Sequence, residues 1–269
     1  MELGISTYTY TWAFGIPGSM PVKPWRIDDL MEQATRFGLK RIQVADNFPL
    51  SALPFNELEL LRKEAYRRRL TLEVGSKQMT EKNLRNYIEI AGLFDCTFLR
   101  FVIDGPGYEP ELPEIISVIR KALPELRKNK LVLALENHDR LKTDEFITLI
   151  EKTDPERIGI CLDTVNSMGA AEGIREVVSS LAPYTVNLHI KDFIIRRASH
   201  KMGFLIEGVP AGRGMLNINW LIDQVKQHGK CVSAILELWT PPEKELEDTL
   251  IKESQWADES IQYLKNIFT

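Results

Sequence analysis

Eight short apolar runs recur along the chain, each followed by a longer stretch with helical spacing, and this alternation limits the possible folds more than any other feature. The runs are ELGIS (2–6), RIQVA (41–45), TLEVG (71–75), FLRFV (98–102), LVLALE (131–136), IGICLD (158–163), VNLHI (186–190) and SAILEL (233–238). Amphipathic segments separate them at 26–37, closed by Gly38, and at 56–69, 81–94, 112–128, 143–152, 170–182 and 219–229, with a last one at 252–268. Asp28, Asn56, Thr80, Thr143 and Asn217 stand where helix caps are expected. Strands that alternate with helices pair in parallel, and eight such units close on themselves, so the expected fold is an α/β (β/α)8 TIM barrel with residues 1–269 forming a single domain. A doubly wound open sheet is the rival, but it has no pressure towards eight strands. The spacing breaks once, after the seventh run, where the stretch 191–232 leaves room for a long loop ahead of the helical segment at 219–229.

Composition narrows the function classes. Lys and Arg number 34 against 38 Asp and Glu, a formal charge of -4, which is a poor footprint for nucleic acid. No apolar run approaches the roughly 20 residues that span a bilayer, so no membrane partner is expected. Cys96, Cys161 and Cys231 are few, odd in number and set in or beside apolar runs, as reduced core residues of an intracellular protein would be. The opening MELGISTYTYTW lacks a basic segment followed by an apolar one, so the expected location is cytoplasmic.

Barrel enzymes place their chemistry at the C-terminal ends of strands. Here the fifth run ends in Glu136 and the sixth in Asp163, and His189 and Glu237 stand next to last in the seventh and eighth. Side chains alternate across a strand, so Glu136 shares a face with Val132 and Ala134, Asp163 with Gly159 and Cys161, His189 with Asn187, and Glu237 with Ser233 and Ile235. If those small or apolar residues fill the barrel, all four polar groups point inward at its mouth. One charged strand end can simply mark the surface. Three crowded carboxylates repel one another, however, and a divalent cation removes that repulsion. Three oxygen donors and one imidazole suit Mn, Mg, Co or Zn, whereas the shortage of thiolate argues against a structural Zn site.

The motifs LALENH (133–138), GICLDTVNS (159–167), LHIKDF (188–193), GVPAGRGMLN (208–217) and AILELW (234–239) resemble the xylose-isomerase-like barrels. That superfamily includes sugar phosphate isomerases and epimerases, inosose dehydratases and the endonuclease IV type of repair nuclease. The resemblance implies one divalent metal ion held by Glu136, Asp163, His189 and Glu237. It further implies a small-molecule carbohydrate substrate, an enediolate intermediate, and Glu136 and Glu237 as a catalytic acid/base pair on its two faces. The nuclease branch fits least: it uses many additional His, this chain has four in all, and Asn166 stands where that branch carries a ligand His.

The leading expectation is therefore a metal-dependent sugar or sugar phosphate isomerase/epimerase. A metal-dependent lyase, decarboxylating or dehydrating a keto sugar acid or inosose, is the alternative, because Arg196, Arg197, His200 and Lys201 would favour an anionic substrate. A non-catalytic sugar-binding barrel is a third reading. Further substrate contacts are expected from His138, Lys191, Arg196 and His200, each of which has a blander reading as a solvated or structural side chain. Asp46 and Asn47 offer substrate hydrogen bonds or an ordinary turn. Gly208, Gly212 and Gly214 shape a loop near the mouth or serve plain turns. Tyr8, Trp12 and Phe14, in an aromatic-rich first loop, form either a wall against the sugar or a contact between subunits of a homo-oligomer.

Overall fold

The computed structural model describes residues 1–268. Strands β1 (Glu2–Ser6), β2 (Arg41–Val44), β3 (Thr71–Lys77), β4 (Phe98–Val102), β5 (Val132–Glu136), β6 (Ile158–Asp163) and β7 (Thr185–Ile190) follow one another around a barrel. The chain then leaves the barrel as an antiparallel hairpin, β8 (Asp192–Arg197) and β9 (Phe204–Val209), and returns as β10 (Ser233–Leu236) to close it between β7 and β1. Every barrel pairing is parallel, as the alternation requires. The expected eight-stranded barrel is thus the one observed, with the expected long loop replaced by the hairpin.

The outer ring consists of α1 (Thr11–Phe14), α2 (Ile27–Phe37), α3 (Phe55–Arg67), α4 (Glu81–Leu93), α5 (Leu112–Lys128), α6 (Thr143–Lys152), α7 (Ile174–Leu181), α8 (Ile218–Lys226) and α9 (Leu246–Phe268). Each long helix turns an apolar stripe to the sheet. On α2, Leu30 and Met31 are fully buried, worth roughly 1.5–3 kcal/mol each. Gly38 ends α2 at φ 69°, a left-handed cap that costs glycine little. Thr80 and Asn217 cap α4 and α8 through their side-chain oxygens. Asp28, Asn56 and Thr143 instead lie inside their helices, which begin after Arg26, Pro54 and Lys142. Among the described residues, no helix is long and apolar enough to cross a membrane.

The aromatic first loop folds back on the barrel instead of standing open. Glu253 of α9 accepts from the backbone N–H groups of Trp12 (2.9 Å) and Ala13 (3.0 Å). Phe14 is buried, edge-on to Trp25 and Phe48. The exposed wall expected of Trp12 and Phe14 is therefore corrected: Phe14 belongs to the core, and the Trp12 indole donates to the Thr240 carbonyl at 2.9 Å. Cys161 and Cys231 are buried and Cys96 half-buried, all as free thiols.

Candidate active site

Alternation along the strands carries polar side chains into the barrel in two tiers. The lower tier is a closed network. Arg41 Nη1 donates to Glu73 Oε1 (3.1 Å), and Gln43 Nε2 donates to Glu73 Oε2 (3.2 Å) and to Asn187 Oδ1 (3.0 Å). Asn187 Nδ2 passes the chain on to Ser233 Oγ (2.9 Å). Burial pushes the Glu73 carboxyl above its ordinary value despite Arg41.

The upper tier, at the C-terminal rim, brings Glu136, Asp163, His189 and Glu237 together, each at most 1% exposed. Asp163 and His189 are paired neighbours on β6 and β7, and the Glu237 N–H donates to the Ile190 carbonyl (3.1 Å) just beyond β10. Nδ1 of His189 lies 3.4 Å from Glu237 Oε1, 3.6 Å from Glu136 Oε2 and 3.8 Å from Asp163 Oδ2. Asp163 commits Oδ1 to the backbone N–H groups of Val165 (2.9 Å) and Asn166 (3.0 Å), which turns Oδ2 towards the others. Among the described residues, His189 Nδ1 is buried without a hydrogen-bond partner, and Asp163 Oδ2 and Glu237 Oε2, equally buried, share a single cation, Lys191. Orphaned polar atoms of this kind are costly unless something else satisfies them. Their donor set, three carboxylates and one imidazole nitrogen, fits an oxygen-seeking divalent ion. Cys161 is also close, its sulfur 3.3 Å from His189 Nε2 and 3.9 Å from Glu136 Oε2, so Glu136, Cys161 and His189 form a second cluster of potential ligands, although burial raises the thiol well above the ordinary range and so opposes a thiolate.

Two buried cations complete the tier. Lys191 Nζ contacts Asp163 Oδ2 at 2.8 Å and Glu237 Oε2 at 3.0 Å as an ion pair. Burial alone would lower the Lys191 ammonium, but these carboxylates outweigh it and hold its pKa well above normal. Burial pulls Asp163 and Glu237 upward, yet His189 and Lys191 more than compensate, and both carboxyls lie below their ordinary values. Arg100 crosses the barrel from β4. Its Nε donates to Glu136 Oε2 in a short contact, and its Nη1 donates to Asp46 Oδ1 at 2.6 Å. Gly75 makes room for it, since a Cβ there would stand 2.9 Å from Arg100 Cδ. Asn166 Nδ2 donates to Glu136 Oε1 at 3.0 Å.

A cleft of about 420 Å³ opens above this tier, bordered by Tyr8, Asp46, Lys77, Arg100, His138 and Lys191 together with Glu136 and Glu237. That volume suits a small ligand. The Tyr8 hydroxyl donates to Asp46 Oδ2 (2.9 Å), and burial drives its phenol pKa above normal. Burial opposes ionisation of Asp46, but Arg100 and Lys77 prevail and hold it well below the carboxylate range. A second, more apolar recess shares Lys191 and adds Asn166, Ile206 and Trp239.

The expected substrate contacts divide accordingly. Tyr8, His138 and Lys191 face the cleft, and Lys191, 16% exposed, is no solvated rim lysine. Arg196 and His200 do not reach it. Arg196 forms a two-point ion pair with Glu207 on the exposed hairpin, and His200 Nδ1 accepts from the Met202 N–H (3.2 Å) at its tip. The glycine loop is explained from within. Asp192 accepts from the N–H groups of Gly212 and Gly214 (2.9 Å each) and Leu216 (3.1 Å), and a Cβ at Gly214 would stand 2.1 Å from its carboxylate. Reading the sequence missed Arg100, Gln43 and Asn166 as parts of the site. An arginine in the middle of FLRFV was the available signal, because a charge buried in a strand needs a partner.

Comparison with known proteins agrees with this fold. The profile of the family described as "Xylose isomerase-like TIM barrel" matches residues 75–267. A 3-oxo-isoapionate decarboxylase from Pectobacterium atrosepticum is 30% identical over 264 residues, covering 98% of this chain and 95% of that protein. Among solved structures, a xylose isomerase-like TIM barrel protein from Mycobacterium smegmatis in complex with magnesium superposes with a TM-score of 0.71 at 17% identity, covering 97% of both chains. D-psicose 3-epimerase from Clostridium cellulolyticum H10, with D-tagatose, gives 0.73 at 13% identity, covering 98% of this chain and 97% of the other.

Proposed function

The chain belongs to the xylose isomerase-like TIM barrel family, and on that footing we propose that it is a divalent-metal-dependent lyase that decarboxylates a small 3-oxo sugar acid. One observation carries this choice over epimerisation. Both oxygens of Glu136 are engaged, Oε2 by Arg100 and Oε1 by Asn166, and so are both of Glu237, Oε1 by the Ser6 hydroxyl (3.3 Å) and Oε2 by Lys191, which leaves neither carboxylate free as a base. Epimerisation needs a base on one face of the substrate and an acid on the other. Loss of carbon dioxide from a 3-oxo acid creates the same enediolate with no base at all, and then needs a single proton donor.

A divalent ion held by Glu136, Asp163, His189 and Glu237 would polarise the substrate carbonyl and offset the charge of the enediolate. The chain's own residues do the rest. The bond between carbon-1 and carbon-2 breaks, carbon dioxide leaves, and the electron pair stays on carbon-2, delocalised into the neighbouring carbonyl. The Lys191 ammonium, held over the cleft by Asp163 and Glu237, stabilises that charge and delivers a proton to carbon-2, to be replaced from solvent. The balance is one carboxylate and one proton in, one ketone and one carbon dioxide out. Tyr8 and His138 border the cleft where the substrate hydroxyls would lie. The P. atrosepticum relative, named for decarboxylation of 3-oxo-isoapionate, supports the same substrate class.

Epimerisation stands as the second reading, because Glu136 and Glu237 both border the one cleft. The two are separated by incubating the Mn-loaded protein with 3-oxo sugar acids and, in parallel, with ketoses in deuterated water. Carbon dioxide release from the acids is the expected outcome. Deuterium entering the ketoses with no carbon dioxide from the acids would hand the function to the epimerase reading. A metal-loaded protein that does neither would return it to the binding barrel.

A further inference from the structure

We infer that Gln43, on β2 and outside the cleft, is a positioning residue that sets which nitrogen of His189 is free for a metal. The inference rests on the metal-site reading above and extends it to a side chain with no contact of its own to the ion.

Gln43 Oε1 lies 2.8 Å from His189 Nε2, and both residues are fully buried. A carboxamide oxygen carries no hydrogen, so this contact requires the proton to sit on Nε2. The neutral ring then keeps its lone pair on Nδ1, the atom facing Glu136, Asp163 and Glu237. Everything depends on which way the amide of Gln43 points, and the lower tier settles that. Nε2 of Gln43 has acceptors for both hydrogens, Glu73 Oε2 at 3.2 Å and Asn187 Oδ1 at 3.0 Å. A flipped amide would set its oxygen against those two oxygens and leave both acceptors without its hydrogens. Asn187 is fixed in turn, since its Nδ2 donates to Ser233 Oγ at 2.9 Å and its Oδ1 also accepts from the Cys161 thiol at 3.0 Å. Glu73 is anchored by Arg41. The closed network thus fixes one amide, the amide fixes one proton, and the proton leaves one lone pair for the ion. Partners of metal-binding histidines that set the tautomer in this manner govern affinity.

The test reads the ring itself as well as the metal. In metal-free wild-type protein with isotope-labelled histidine, NMR should find neutral His189 protonated on Nε2; a ring protonated on Nδ1 alone overturns the inference. Gln43→Met removes every hydrogen bond of the amide without adding a charge beside Glu73. The Met variant should bind Mn about 10–100-fold more weakly by calorimetry and lose the preference for Nε2. A folded Met variant with wild-type Mn affinity and an unchanged ring overturns the inference. If the Met variant does not fold, the wild-type ring measurement decides alone. Failure of the wild-type protein to bind Mn would sink the metal reading instead, and the ring measurement would still judge Gln43.

Discussion

Two polar tiers lie inside one barrel at equal burial, and they differ in how completely they satisfy themselves. The lower one, from Arg41 to Ser233, pairs its donors with acceptors and closes on itself. The upper one leaves His189 Nδ1 without a partner and gives Asp163 Oδ2 and Glu237 Oε2 only the shared Lys191 ammonium, with Arg100 pressed against Glu136. Burial alone therefore does not mark a site. What separates scaffold from chemistry here is unspent bonding capacity aimed at one point, maintained by a satisfied network beneath it.

Substitutions in each tier should fail differently. Glu237→Gln keeps the volume of the side chain and removes its charge. We expect turnover to fall on the order of a thousandfold, because Lys191 and the ion site each lose a carboxylate, with only part of the stability cost of a broken buried pair since Lys191 keeps Asp163. Steady-state rates beside a thermal melt check this, and a variant that keeps its activity would erase the distinction between the tiers. Glu73→Leu acts on the satisfied tier and should cost about 3 kcal/mol of stability, because Arg41 loses a buried partner. Urea unfolding measures it, and a cost near zero would mean the lower network is not structural.

Glu253 extends the comparison to a buried carboxylate whose partners are backbone N–H groups. Burial raises its carboxyl to about 7. The folded state then holds a proton that the unfolded state releases at lower pH. Stability should fall as pH rises from about 5 to about 8, by about 3 kcal/mol at most, and Glu253→Gln should flatten that slope. Asp163 and Glu237, shifted the other way, lose their contribution only as pH drops below the ordinary carboxylate range, outside this window. Denaturation midpoints at several pH values resolve the two.

Saturating the upper tier should stabilise the fold directly. Mn at roughly a hundred times its dissociation constant adds about 2.7 kcal/mol, seen as a rise in melting temperature that EDTA reverses and that Asp163→Asn abolishes. The smallest effect is expected outside both tiers. Arg196→Ala breaks an exposed pair on the hairpin and should leave kcat/KM unchanged, whereas a large loss would bring the hairpin into the site.

The parts of the site that could be read in advance share one property: their placement depends on a single strand. Glu136, Asp163, His189 and Glu237 each stand last or next to last in an apolar run, and a strand's end is visible in its own residues. Arg100 and Gln43 were hidden because their partners come from elsewhere. Arg100 meets Glu136 and Asp46 from other strands, and Gln43 meets His189 across the barrel. The hairpin was hidden for a similar reason. Arg196 looked like an unattached cation until its pairing with Glu207 across β8 and β9 became visible. Asp192 likewise explains glycines twenty and more residues away.

Periodicity and strand-end chemistry, both local, were enough to determine the barrel and the four residues gathered at its mouth, because side-chain direction along a strand or helix follows from the backbone alone. Only the tertiary structure decided which atoms of those residues are spent and which are free, which cations share their space, and which neighbour orients the imidazole. Those outcomes depend on hydrogen bonds between strands far apart in the chain, and a hydrogen bond is made or lost over a few tenths of an ångström that no linear pattern encodes.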